Sequence, residues 1–179
     1  MQKSVKMAKN CGVKLLRLQR RPANPMQGLL QAGSITFPAA LGRGGISAFK
    51  REGDGATPRG RHRLVHGFYR GARPPAALTL ARLTRRMVWC DAPAHPAYNR
   101  LSRLPLPVSH ERLWRDDRLY DVCIVMDWNM RQRKRGCGSA IFFHLARPGF
   151  LPTEGCVALS ARDMRRLLPF IGPDTVLIV

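Results

Sequence analysis

Two residues able to do nucleophilic chemistry stand twelve positions apart near the C-terminal end. His144 closes the apolar run Ala140–Phe143, and Cys156 follows Thr153-Glu154-Gly155 and opens a second apolar run. An apolar run rich in β-branched and aromatic residues that ends in histidine reads as a buried strand. Gly155 permits a tight or positive-φ turn directly before the cysteine. A thiol on such a turn is partly exposed while its neighbours are buried, and the N–H groups of Gly155 and Cys156 are free to meet an oxyanion. An imidazole on the adjacent strand takes the thiol proton and leaves a thiolate nucleophile. Spacing alone does not decide for this chemistry. A cysteine in an apolar strand is more often a small core residue, and the two groups must meet in space rather than in sequence.

The elements that must position the pair read as mainly β. Val13–Leu18, Ala32–Phe37, Gly45–Phe49, His62–Tyr69, Thr79–Arg86, Met87–Cys90, Tyr120–Trp128 and Thr175–Val179 are strand candidates. Two prolines make Arg20–Gln31 a loop, and Leu41–Gly45 reads as a glycine-rich hairpin connection without the Walker pattern. Residues 50–60 form a glycine-punctuated polar loop in which Asp54 hydrogen-bonds its own backbone, and Thr57-Pro58 forces an extended exit. In that loop Lys50 or Arg51 is a candidate contact for a substrate carboxylate. Asp91–Arg100 is too rich in proline for helix or central strand. His95 and His110 lie in polar segments and read as solvated rather than as ligands. Ser109 caps a short helix over 110–114. Ser160 opens another, whose Met164, Leu167, Leu168 and Ile171 share one buried face, with Pro169 near its end. About eight to ten short strands against one or two short helices predict a sandwich or barrel.

The chain has 179 residues, enough for one domain with a core. A basic N-terminal segment and first strand, 1–31, precede a domain over 32–179. With 31 Lys and Arg against 11 Asp and Glu, the net charge of +20 favours anionic partners such as nucleic acid, anionic lipid or cell-wall polymer. The charge is mostly arginine and scattered, so no specific nucleic-acid module is expected. Arg131–Arg135 reads as a solvated hairpin tip, with contact to an anionic polymer as the less favoured alternative. Cysteines 11, 90, 123, 137 and 156 make no C-x-x-C pair and no zinc spacing, and thiol–imidazole chemistry calls for no metal and no organic cofactor. No stretch reaches the ~18 apolar residues of a transmembrane span. The start Met1–Leu18 lacks the apolar core of a signal peptide, which keeps residence in the cytoplasm open.

The segment His144, Thr153, Gly155 and Cys156 resembles the catalytic stretch of the L,D-transpeptidase (YkuD-like) family of peptidoglycan enzymes. Asp54-Gly55-Ala56-Thr57-Pro58-Arg59-Gly60 resembles a second element of that family, and Gly-Cys-Val-Ala-Leu at 155–159 a branch of it. The resemblance spans about 40–179. It implies an L,D-transpeptidase-like β-sandwich, an envelope location, stem peptides of peptidoglycan as substrates and carbapenem-type inhibitors. It also implies Cys156 as nucleophile, His144 as base oriented by a carbonyl near Leu145, and Gly155 at the oxyanion site. Thr153, Glu154, Arg51 and Arg147 are the expected substrate contacts, and the loop 91–100 the border of the cleft. The departures are Glu154 in place of a second histidine, a short loop before Cys156, and Val157-Ala158 where many members carry arginine. The rival readings are a hydrolase that passes the same acyl group to water, and a basic binding protein without catalysis.

Overall fold

The computed structural model describes residues 12–179; most of the basic N-terminal stretch, with Cys11, lies outside them. In chain order the strands are β1 (Leu15–Arg21), β2 (Asn24–Ala32), β3 (Ile35–Ala40), β4 (Ile46–Ser47), β5 (Thr57–Pro58), β6 (Arg61–Tyr69) and β7 (Leu80–Arg82). There follow β8 (Met87–Cys90), β9 (Arg100–Arg103), β10 (His110–Arg112), β11 (Val122–Met126), β12 (Phe142–Leu145), β13 (Val157–Leu159), the helix α1 (Ala161–Leu167) and β14 (Val176–Ile178). The fold is mainly β.

Eight strands close into a ring in the order β11, β12, β13, β3, β2, β1, β14, β6, because β6 pairs again with β11. The faces of the expected sandwich are therefore parts of one continuous sheet. β6 manages three neighbours by changing partner along one edge: Arg61–Arg63 pair with β14 and Gly67–Tyr69 with β7. Period-two patterning fills the ring. Leu16 and Leu18 of β1 point inward with Leu30 and Phe37, while Arg17 and Gln19 face solvent. α1 adds Met164 and Leu167 to the same core.

β11 and β12 are apolar on both faces for a physical reason. Ile124 and Phe143 face the ring interior, whereas Cys123, Val125 and Phe142 face a second core. That core is closed by a three-stranded sheet in the order β10-β8-β9, which contributes Met87 and Trp89. His144, two residues beyond Phe142, stands on the second-core face, where a cleft opens.

Three local expectations are corrected. Arg20–Gln31 is largely strand, not loop: Pro22 falls before β2, and Pro25 sits where the β1 ladder is broken by a bulge at Arg20/Arg21 and before the β3 ladder begins at Gln27. The ladder therefore needs no N–H from either. The glycine-rich 41–45 segment is not a hairpin, since β3 pairs with β2 and β13 while β4 pairs in parallel with β5. Residues 110–112 are strand, not helix. Five residues cannot sustain a helix without packing, whereas β8 offers an edge that pairs Glu111 with Trp89. At the C-terminal helix the expected cap is present: Ser160 Oγ accepts the Asp163 N–H at 3.0 Å, and a 3₁₀ turn through Pro169 ends the run.

Candidate active site

Two loops distant in sequence build the frame of the cleft. Thr153 N–H donates to Leu41 O at 2.9 Å and Arg43 N–H to Thr153 O at 2.8 Å, so the approach to Cys156 is paired with the 41–43 segment. Thr57 Oγ1 accepts the Gly42 N–H at 2.9 Å, which fixes the 50–60 loop to the same segment. Asp54 shapes that loop by accepting the N–H groups of Arg51 (2.7 Å) and Ala56 (2.9 Å) and by pairing with the Lys50 ammonium. The contacts leave no room for side chains at two glycines. A Cβ on Gly42 would stand 2.1 Å from Gly55 O, and one on Gly155, whose φ is +125°, 2.8 Å from Ala56 O.

Cys156 and His144 line one cleft of about 240 Å³. Cys156 is only 6% exposed, so the turn covers its thiol rather than displaying it. Sγ accepts the Phe142 N–H at 3.3 Å, and the thiol donates to Ala140 O at 3.4 Å. Ala140 holds a left-handed φ of +52°, a conformation that costs a non-glycine residue about 1–2 kcal/mol. Buried Asn99 offsets that cost: its Oδ1 accepts the Ala140 N–H at 3.2 Å and Trp89 Nε1–H at 2.9 Å, and its amide donates to Trp128 O. His144 lies on β12 in register with Ala158 of β13, two residues past the cysteine. Its Nδ1 donates to Leu145 O at 2.8 Å, which leaves Nε2 as the basic nitrogen. The edge of Tyr120 packs against the imidazole at 5.0 Å between centroids.

Burial sets the resting protonation. It pushes the Cys156 thiol up to about 12, opposed by the Phe142 N–H. Glu111 adds to the rise, while Lys50 and Arg115 work against it. Burial also drives His144 down to about 4, against the pull of its bond to Leu145 O. Burial thus favours thiol and neutral imidazole over the ion pair in the resting site.

The family model for the L,D-transpeptidase catalytic domain, YkuD, matches residues 29–179. The chain belongs to that family. No curated protein and no solved structure matches it. The YkuD family is typically associated with the cell envelope and its peptidoglycan. No helix among the described residues is long and apolar enough to cross a membrane.

Against this YkuD frame, the remaining predicted residues divide. Thr153 borders the cleft, but its hydroxyl is already engaged: it donates to Cys156 O at 2.6 Å and accepts the Gly155 N–H at 3.2 Å. It shapes the turn. The Gly155 N–H is thereby occupied, and the Cys156 N–H alone of the two makes no hydrogen bond among the described residues. Glu154 turns to the rim and pairs with Arg43 Nε at 2.7 Å. Arg51 lies outside the cleft lining, because its backbone is capped by Asp54 while its side chain stays in solvent. Lys50 is the residue of that pair that enters, with a buried side chain. Arg147 stands exposed in the lining and makes no ion pair among the described residues.

Sequence reasoning missed a second wall. Glu111 and Arg115 line the cleft, with Arg115 bound to Glu111 at 2.8 Å and stacked over Tyr120 at 5.1 Å. Glu52 accepts hydrogen bonds from Tyr98 and Ser139 and ties the 50–60 loop to the 91–100 loop. No spacing rule reports these groups, since they converge from separate strands and loops. The buried Asn99, inside a segment already read as bordering the cleft, was the one with a local signal. Cys90, Cys123, Cys137 and Cys156 are free thiols, and Cys90 and Cys123 are buried.

Proposed function

We propose that the chain is a cysteine-dependent acyltransferase that cleaves the L–D peptide bond of a peptidoglycan stem and passes the acyl group to an amine. The observation that carries this reading is the shared cleft of Cys156 and His144, with Nδ1 tied to Leu145 O and Nε2 left basic. Cys156 Sγ attacks the carbonyl as its proton passes to His144 Nε2. The C–N bond then breaks, the proton goes to the leaving amine, and a thioester forms. The Cys156 N–H, unengaged among the described residues, is the donor offered to the oxyanion. An incoming amine attacks the thioester, gives its proton through His144, and restores the thiol. The neutral pair suits this cycle, since the charges appear only as the bond forms. Apo geometry, with the thiol bonded to Ala140 O, gives way to the thiol–imidazole contact in the complex.

Lys50 and Arg147 are the cleft cations suited to a stem carboxylate, Lys50 held in place by Asp54 and Arg51 O. Glu154, committed to Arg43 at the rim, is poorly placed to activate water, so the carboxylate that suggested a hydrolase gives that reading no support.

The test compares tetrapeptide stems that end in a free carboxylate with the same stems ending in a carboxamide. Wild type is expected to release the terminal D-residue from the carboxylate form at least about 10-fold faster, a gap that Lys50→Met narrows. No release from either stem would sink the reading. An unchanged preference in Lys50→Met would remove Lys50 from it.

A further inference from the structure

The cleft does not account for the +20 charge, and strand register shows where part of it gathers. On the outside of the ring, Arg17 of β1 lies beside Ile178 of β14, which lies beside Arg61 of β6. Two positions along the same face, Val176 lies beside Arg63. Arg20 and Arg21 stand at the end of β1, and Arg59 shares a hollow with Arg20. All six arginines are exposed, and none forms an ion pair among the described residues. Asp127 reaches this face through the backbone: its Oδ1 accepts the Arg63 N–H at 2.9 Å.

Across the strands the ground between the arginines is aliphatic, with Gln19 the polar residue between Arg17 and Arg21 on β1. Ile178 is half-buried, Val65 beyond Arg63 is 43% exposed, and Leu29 on the flanking β2 is 39% exposed. No aromatic side chain stands among the outward residues of β1, β14 and the first half of β6. Phe49, 87% exposed, follows Ala48, which lines the hollow shared by Arg20 and Arg59. The face also has a fixed relation to the cleft. β1 lies four strands from β12 in either direction around the eight-strand ring, β14 three and β6 two, so the middle of the basic face points away from the side that carries His144.

We propose that the outer β1–β14–β6 face docks on an anionic phospholipid bilayer and holds the cleft turned away from the lipid. Guanidinium groups pair with headgroup phosphates, and the interleaved aliphatic side chains, with Phe49 at the edge, enter the boundary between headgroups and acyl chains. A convex sheet face without stacking aromatics suits that surface better than single-stranded nucleic acid, which binds through grooves and aromatic platforms. The proposal is independent of the acyl-transfer chemistry.

The experiment is sedimentation of the full chain with vesicles of phosphatidylglycerol and phosphatidylcholine, and with phosphatidylcholine alone. Wild type is expected to bind the anionic vesicles and to release them as salt rises. The triple variant Arg17→Gln, Arg61→Gln, Arg63→Gln is expected to lose on the order of 100-fold in partitioning. A control that removes equal charge at the exposed turn (Arg131→Gln, Lys134→Gln, Arg135→Gln) should lose less than about 3-fold. Val65→Trp supplies a readout that needs no arginine change: its emission should shift to the blue with anionic vesicles only. Equal losses in the two triples, or no blue shift, would overturn the proposal. Tighter binding to single-stranded DNA, abolished by the first triple, would overturn it in favour of nucleic acid.

Discussion

Replacing His144 by glutamine is expected to lower the acyl-transfer rate at neutral pH by about 10²- to 10⁴-fold while leaving the fold intact. The reason is the thiol itself. With burial holding Cys156 near 12, only about one thiol in 10⁵ is ionised at pH 7, so a base must take the proton as the bond forms. Wild type needs His144 neutral and the thiol protonated at rest. Its kcat/KM should therefore fall as pH drops through about 4 and stay level above that until the thiol titrates near 12. The variant has lost the local base and must draw thiolate from solution, so its rate should climb tenfold per pH unit across the neutral range. The checking measurement is a pH–rate profile of both proteins, with circular dichroism to verify the fold. A variant whose profile stays flat, or whose rate is within a few-fold of wild type, would remove His144 from the base role.

The second large effect falls on stability. Gly42→Ala places a Cβ 2.1 Å from Gly55 O and 2.9 Å from Thr57 N, all backbone atoms without rotamer freedom. The contact can be relieved only by parting the 41–43 segment from the 50–60 loop, with loss of the bonds that Gly42 and Gly44 make to Thr57 and Gly55. A loss of at least about 3 kcal/mol is expected, which for a chain of this size lowers Tm by about 6–12 °C. Gly33→Ala is the matched control. Its φ is +60°, but nothing lies within 4 Å of the new Cβ, and about 1 kcal/mol is expected. Denaturant titration of the two variants separates close approach from backbone conformation. Equal, small losses would show that the two loops are not tightly joined.

The sequence carried the parts of this protein that are local. β11 and β12 announced themselves through Val122–Met126 and the apolar run Ala140–Phe143 that leads into His144, because both faces of each are covered. Ser160 and the spacing of Met164, Leu167 and Leu168 marked the last helix, since caps and periodicity are short-range signals. β2 escaped because its prolines fall where no ladder bond is needed, which only the registers with β1 and β3 reveal. β10 escaped because an edge of β8, some twenty residues away, decided the conformation of His110–Arg112. The same holds at the site. His144 and Cys156 were singled out by the family resemblance, and the structure shows that both line one cleft. Glu111, Arg115 and the choice of Lys50 over Arg51 were set by burial and by which side of the loop faces inward.

The most direct test of the acyl-transfer reading is mass spectrometry of the products formed from purified tetrapeptide muropeptides by wild type and by Cys156→Ala. Cross-linked dimers, each lighter than the sum of its parts by one free D-amino acid, the terminal residue plus water, should appear with wild type and be absent with Cys156→Ala. Dimers that persist without Cys156, or a wild type that leaves the tetrapeptides untouched, would contradict it.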